Sequence, residues 1–422
     1  MSKVKHIPQG YKDSPLGIIP KEWEVKRLGE LCTKIGSGVT PRGGQNVYLS
    51  QGRPFLRSQN VANGYLLLDD VVFIDEITHQ KQKSTEIELD DVLLNITGAS
   101  IGRSAVATSE IVGGNVNQHV CIIRLKDKTL SYYICAFLLS YIGQKQIDSY
   151  QAGGNREGLN YDQIASFKIF IPSSKEIIQI WNFLSLWDTA IEKQSELIEK
   201  LKLRKRALMQ QLLTGKKRLP GFSGEWKEVK LGDIGEMFKG SGVPKDSIIE
   251  AGHKCLTYGD IYTKYDYVIS NVKSYINDDI ASKSTKIQYG DICFAGSGET
   301  KEDIGKCATF IDAQYGYAGG DIIIFRAKNS NPITLSYILN SDSVIRQKSN
   351  MGQGHSVVHI YPYQLEKLRF KLPPKVEQDT IASILMDVDK EIELAKEKLA
   401  DLQSQKRGLM QQLLTGKKRV IE

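Results

Sequence analysis

Two sets of short segments in this chain mix cationic, amide and hydroxyl side chains with glycine. In the first half they are residues 36–44 (GSGVTPRGG), 57–60, 98–103, 113–119 and 153–158; in the second, residues 239–245, 257–260, 296–306 and 352–359. A guanidinium or a side-chain amide can make paired hydrogen bonds to a base edge, an ammonium neutralises phosphate, and glycine lets the backbone come close. The side chains suited to that chemistry are Arg42, Arg57, Ser58, Gln59, Asn60, Arg103, Asn117, Gln118, Asn155 and Arg156 in the first set. In the second they are Lys239, Thr257, Tyr258, Lys306, Gln353 and His355. Any one of these segments, taken alone, reads as an ordinary polar surface loop. Their recurrence at matching places in both halves favours a binding role.

Several stretches imitate catalytic motifs. Phe294-x-Gly296-x-Gly298 resembles the glycine turn that holds S-adenosylmethionine, but its first-half counterpart, Asn95-Ile96-Thr97-Gly98-Ala99, lacks the pattern. From Gly298 to Gly305-Lys306-Cys307 the gap is too long for a phosphate-binding loop, and no Ser or Thr follows the lysine to hold magnesium. Glu24-x-Lys26 and Glu228-x-Lys230 read as solvated charge. His119, His355 and His359 form no metalloprotease or hydrolytic-triad pattern. The six cysteines, Cys32, Cys121, Cys135, Cys255, Cys293 and Cys307, show no C-x-x-C pair, so free thiols in a reducing cytoplasm are expected. These patterns predict no catalytic residue, no metal and no cofactor on this chain.

The elements that must position these loops are announced by a repeat. Residues 201–218 (LKLRKRALMQQLLTGKKR) return as residues 402–419 (LQSQKRGLMQQLLTGKKR), an offset of 201. The match extends back through Ile180, Leu184, Asp188 and Ile191 to Ile381, Leu385, Asp389 and Ile392. Apolar residues recur at heptad spacing: Ile177, Leu184, Ile191, Ile198 and Leu212 with Ile180, Trp187, Leu201 and Leu208 in the first copy. Leu385, Ile392, Leu399 and Leu413 with Ile381, Val388, Leu402 and Leu409 follow in the second. Each copy predicts one helix roughly 60 Å long at ~1.5 Å per residue. Ser173-x-x-Glu176 resembles a capping box, and Gly215 and Gly416 stand where a helix stops. Two such helices predict an intramolecular coiled coil, and their repeated exposed residues, Gln210, Gln211 and Lys216 with Gln411, Gln412 and Lys417, predict equivalent docking of two copies of one partner.

Between these helices lie domains of about 150 residues with short β-branched or aromatic runs, at 71–74, 92–96, 120–124 and 167–171, then 267–269, 291–294, 322–326 and 368–372. Helical patterns interrupt them at 130–142 and 333–347, predicting α+β domains with small mixed sheets. The expected organisation is 1–172, an extended arm and first domain; 173–214, first helix; 215–224, linker; 225–372, second domain; 373–415, second helix; and 416–422, a basic tail. The chain has 422 residues, 41% hydrophobic, with formal net charge +7. That mild basic excess suits a polyanion without demanding one. No run reaches the ~18 apolar residues of a membrane span.

Four motifs then bear a family resemblance: YKDSPLGIIPKEW at 11–23, GASIGR at 98–103, PPKVEQ at 373–378 and both copies of LMQQLLTG. The chain resembles the specificity subunits of type I restriction-modification systems along essentially its whole length. One departure is visible, since the first helix opens with Pro172-Ser173 where the family has Pro-Pro. The resemblance implies two target-recognition domains separated by long helices that pair as an antiparallel intramolecular coiled coil with pseudo-twofold symmetry, reading a split, asymmetric double-stranded DNA target. It implies docking of two modification subunits that carry S-adenosylmethionine and methylate adenine. Restriction subunits, which use ATP and magnesium, join optionally. The chain itself would be non-catalytic. A self-sufficient methyltransferase or nuclease, and a scaffold without any nucleic-acid role, remain the competing classes.

Overall fold

The computed structural model describes residues 7–151, 158–354 and 357–420. The chain divides into two compact units, one built from residues 1–194 with 398–422, the other from residues 195–397. Neither boundary coincides with the end of a domain expected from the sequence. Each unit combines one recognition domain with half of each long helix.

In the first unit an antiparallel sheet runs in the order Cys32–Ser37, Val120–Leu125, Val92–Asn95, Ser104–Val106. Val92–Asn95 is buried at every position, as a central strand covered on both faces must be. A second sheet pairs Arg53–Leu56 antiparallel with Val72–Ile74 and parallel with Asn115–Val116. The second unit has a five-stranded sheet, Gly235–Lys239, Ile322–Ala327, Asp291–Ala295, Cys307–Phe310, Val268–Ile269. Its companion sheet runs Tyr275–Ile276, His253–Leu256, Gly316–Ala318, Thr285–Ile287.

One buried ion pair recurs in both domains. Asp91 accepts the Glu88 amide at 2.7 Å and is gripped by Arg124 through Nε and Nη2 at 2.9 and 2.8 Å. Asp291 accepts the Gln288 amide at 2.9 Å and is gripped by Arg326 at 2.8 Å through both nitrogens. The two-pronged geometry satisfies a carboxylate that burial would otherwise penalise.

The helix expected over 130–142 is two helices, Ser131–Leu139 and Tyr141–Ser149, because Ser140 turns extended and its hydroxyl accepts the Gly143 amide at 3.3 Å. The pattern over 333–347 likewise splits into Pro332–Leu339 and Asp342–Met351. Ser and Asn compete with the helix for backbone partners, so apolar periodicity alone runs through such breaks.

The long helices are Ser174–Leu212 and Lys375–Leu413, 39 residues each. Gly215 and Gly416 follow at φ +68° and +66°, the left-handed conformation of a helix stop. The heptad positions named above are buried or half-buried throughout. In the first unit Lys406 bonds Asp188, and in the second Lys205 bonds Asp389. These are one repeated pair of residues, each partner drawn from the other copy of the repeat.

The capping box at Ser173 is only half present. Ser173 Oγ accepts the Glu176 amide at 3.3 Å, but the Glu176 carboxylate takes the Trp23 indole N–H at 2.9 Å and the Arg419 guanidinium at 2.6 and 2.9 Å. Glu377 repeats this in the second unit, accepting from Trp226 at 3.1 Å and from Arg218 at 2.9 and 2.8 Å. Arg419 lies in the stretch 416–422 and Arg218 in 215–224, so each of these stretches supplies the arginine of one lock. The expected arm is a hairpin, Tyr11–Ser14 with Gly17–Pro20, whose Tyr11 hydroxyl donates to the Gly416 carbonyl at 2.9 Å.

Candidate nucleic-acid interface

In the first unit, four segments chosen from the sequence meet, and Gly158, the described end of a fifth, lies against them. Asn95, at the end of a central strand, donates through Nδ2 to the Ser58 carbonyl at 2.8 Å and to Ser100 Oγ at 3.1 Å, which ties the 57–60 turn to the 98–103 turn. The Asn117 amide donates to the Leu56 carbonyl at 2.9 Å, and the Gly38 amide to the Asn117 carbonyl at 3.2 Å. Thr97 bridges to Gly158. The loops therefore form one surface because sheet ends bring them together.

Within that surface the candidate side chains divide. Arg42, Gln59, Arg103 and Gln118 are exposed and Ser58 is half-buried. Asn60 and Asn117 are buried and committed to the fold: Asn60 accepts the Arg57 amide at 2.9 Å and donates to the Leu67 carbonyl at 3.0 Å, while Asn117 accepts the His119 amide at 3.0 Å. Arg57 is turned aside, donating to the Asp70 carbonyl at 2.9 Å with its guanidinium 5.8 Å from the Tyr48 ring centroid. Asp70 also receives Asn60 Nδ2 at 2.7 Å and the Gln59 amide. One residue thus gathers three of the chosen side chains, Gln59 and Asn60 on its carboxylate and Arg57 on its backbone carbonyl, and sequence reasoning passed over it. The available signal was an acidic residue ten positions beyond a turn rich in donors, which is weak.

The second unit builds its surface differently. Asp260 accepts the Thr257 amide at 2.9 Å and hydroxyl at 2.8 Å and pairs with Lys264 at 2.6 Å, leaving Tyr258 exposed beside it. Lys239 and Gln353 are exposed. Lys306 points to the Tyr262 carbonyl at 3.3 Å and to Asp266 at 3.6 Å. Behind it Lys348 is 1% exposed, and burial pushes its ammonium pKa down; its Nζ donates to the Gly305 carbonyl at 2.6 Å and so anchors the 296–306 loop. Asn155, Arg156 and His355 lie outside the described residues.

The catalytic look-alikes serve the fold instead. Ser297–Gly298 forms a short strand against Val358–His359, and the Gly296 amide donates to the Asp321 carbonyl at 2.8 Å, so this glycine pattern edges a sheet. Among the described residues no three His, Cys, Asp or Glu side chains are grouped to hold a metal. All six cysteines are free and buried. Burial pushes the Cys32, Cys121, Cys135 and Cys255 thiols up to about 12, far from nucleophilic thiolates. Among the described residues no helix is long and apolar enough to cross a membrane. Of the repeated helix-end residues, Gln210, Gln211, Lys216, Gln412 and Lys417 are exposed, whereas Gln411 is half-buried.

Comparison with known proteins finds relatives along almost the whole chain. The family model described as the type I restriction modification DNA specificity domain matches residues 20–203 and again 223–404. A putative type I restriction enzyme MjaX specificity subunit from Methanocaldococcus jannaschii is 24% identical over 434 residues, covering 98% of this chain and 97% of that protein. The MjaVIII specificity subunit of the same organism is 22% identical, covering 95% and 94%. Among solved structures, a chain from a study of complex assembly and conformational transition of the type I R-M system aligns with TM-score 0.60 at 15% identity, covering 94% of this chain and 99% of that one. The type I restriction-modification S subunit from M. genitalium aligns with TM-score 0.53 at 14% identity, covering 93% and 96%.

Proposed function

Because the chain belongs to the type I restriction modification DNA specificity family, with two family domains spanning most of its length, we propose that it reads a split, asymmetric double-stranded DNA target with one domain per half-site. It is a non-catalytic specificity subunit, and sequence recognition is its part in the restriction-modification system. The observation that carries the split-target reading is the double match itself, two domains on one scaffold with different loop surfaces. The candidate readers are the exposed Arg42, Gln59, Arg103, Gln118, Lys239, Tyr258 and Gln353, together with Asn155, Arg156 and His355.

The two long helices act as an antiparallel coiled-coil spacer that relates the domains by a pseudo-twofold axis. Supporting this are the heptad burial and the Asp188–Lys406 and Lys205–Asp389 pairs, one ion pair occurring twice. The repeated Gln210, Gln211, Lys216 and Gln411, Gln412, Lys417 dock two modification subunits. Those subunits supply S-adenosylmethionine and methylate adenine, and restriction subunits add ATP-dependent cleavage where present. The cytoplasm is the expected compartment.

The test is genome-wide adenine methylation in the source cell with the gene intact and deleted. One bipartite motif should vanish on deletion. A methylome unchanged by deletion would overturn the reading.

A further inference from the structure

The first unit holds a chain of hydrogen bonds whose direction the chemistry fixes. The Thr40 backbone N–H can only donate, and it lies 2.9 Å from the Gln118 side-chain oxygen, Oε1, which the Thr40 hydroxyl also contacts. The amide orientation of Gln118 is thereby set, with its NH2 group facing away from Thr40. That nitrogen stands 3.1 Å from His119 Nε2, so Nε2 must accept. The neutral imidazole then carries its proton on Nδ1, which lies 2.5 Å from Thr97 Oγ1 and donates to it. Each donor in the relay is consumed by the next acceptor until Thr97, whose own hydroxyl proton is left over. Among the described residues no acceptor is placed against it. Thr97 and His119 are half-buried and Gln118 is exposed, so the relay opens onto the surface formed by the 36–44, 98–103 and 117–119 loops.

The second unit contains the same terminal pair from a different part of the chain. Ser297, two residues past the end of the strand Asp291–Ala295 as Thr97 is two past the end of Val92–Asn95, has its Oγ 2.9 Å from Nδ1 of His359. His359 comes from a segment after the helices, whereas His119 comes from the turn before a central strand. Two unrelated loops thus deliver an imidazole to an equivalent hydroxyl. Among the described residues only the first unit has a Gln–Thr pair fixing the tautomer.

We infer that Thr97 is a specificity-determining residue, its hydroxyl donating a hydrogen bond to an acceptor of the bound DNA, with His119 and Gln118 as positioning residues that hold the hydroxyl as a donor. This rests on the DNA-specificity reading. It also reassigns Gln118 from base reader to relay member. The acceptor is an oxygen or ring nitrogen, on a base edge or on a phosphate.

The experiment uses the full chain with its modification subunits in cells, read by adenine methylation at every genomic copy of the wild-type motif and its single-base variants. Thr97→Ser keeps the hydroxyl and should preserve the motif. Thr97→Val should reduce discrimination at one position of one half-site by roughly tenfold if the acceptor is a base. If it is a phosphate, methylation should fall evenly across sequences. In both cases the other half-site is still read. Should Thr97→Val abolish methylation everywhere through misfolding, the surface substitution Gln118→Met decides, with a smaller loss of the same kind expected. A motif and efficiency unchanged in Thr97→Val, or in Gln118→Met where that variant decides, would overturn the assignment while leaving DNA specificity intact. A wild-type chain that directs no motif would overturn both.

Discussion

The Glu176 and Glu377 locks use the same three residue types, whereas the 57–60 and 257–260 turns keep one bond in common and differ in what surrounds it. Each lock joins an indole, a carboxylate and a guanidinium, with distances between 2.6 and 3.1 Å. Each takes its glutamate from one copy of the repeat and its arginine from the other. The 57–60 and 257–260 turns share one bond, Asn60 and Asp260 each accepting the amide three residues back at 2.9 Å, but Asp70 then holds Asn60 from outside the first turn, whereas Asp260 pairs with Lys264 in the second. A buried charge tolerates little variation, because losing one partner leaves the other desolvated. A surface loop can be rebuilt around any nearby carboxylate.

The largest effect that would sharpen this contrast is on the locks. Trp23 is fully buried and Trp226 half-buried, so Glu176→Ala strands an indole N–H that water cannot reach. It should destabilise its unit by about 3–5 kcal/mol, and Glu377→Ala by less. Hydrogen exchange around each tryptophan would measure this, and equal losses would show that burial of the indole does not set the difference.

Next come the loop carboxylates. Asp70→Ala should release Gln59 and Asn60 together, while Arg57 keeps the backbone carbonyl, and cost one half-site roughly tenfold or more in methylation, with the other half-site kept. Asp260→Ala should do the converse. Loss of both half-sites in either variant would break the separation between the units.

The helix stops give a smaller test. Ala at Gly416 or Gly215 meets a left-handed backbone, costing about 1 kcal/mol at each. At Gly416 the added Cβ would also lie 2.4 Å from Pro20 Cδ, against 3.3 Å from the Trp226 ring at Gly215. Gly416→Ala should therefore lower thermal stability more, and equal shifts would show that Pro20 moves aside. Smallest is the loss of one exposed cation. Arg42→Ala or Lys239→Ala should weaken DNA binding of the assembled enzyme a few-fold across sequences and reduce the salt slope by about 1 each. A sequence-selective change instead would make that residue a base reader.

Much of the architecture was legible in the residues alone. The offset of 201 and the heptads gave both long helices to within about two residues at each end. The β-branched runs located four strands in each domain, because local periodicity depends on which side of an element faces the core. The sequence also marked the loops, since glycine and polar residues cluster where backbone must turn. It could not tell exposed Gln59 from buried Asn60, adjacent in the chain and alike in chemistry. It could not see that Glu176 serves Arg419, 243 residues away, when the local capping pattern offered a partner three residues back. Nor could it show that His119 and His359, from different places in their domains, stand beside equivalent hydroxyls. The helices and their register are written in neighbouring residues. Which polar side chains hold the fold and which stay exposed was decided only when distant segments met, because a hydrogen bond is allotted by distance in space.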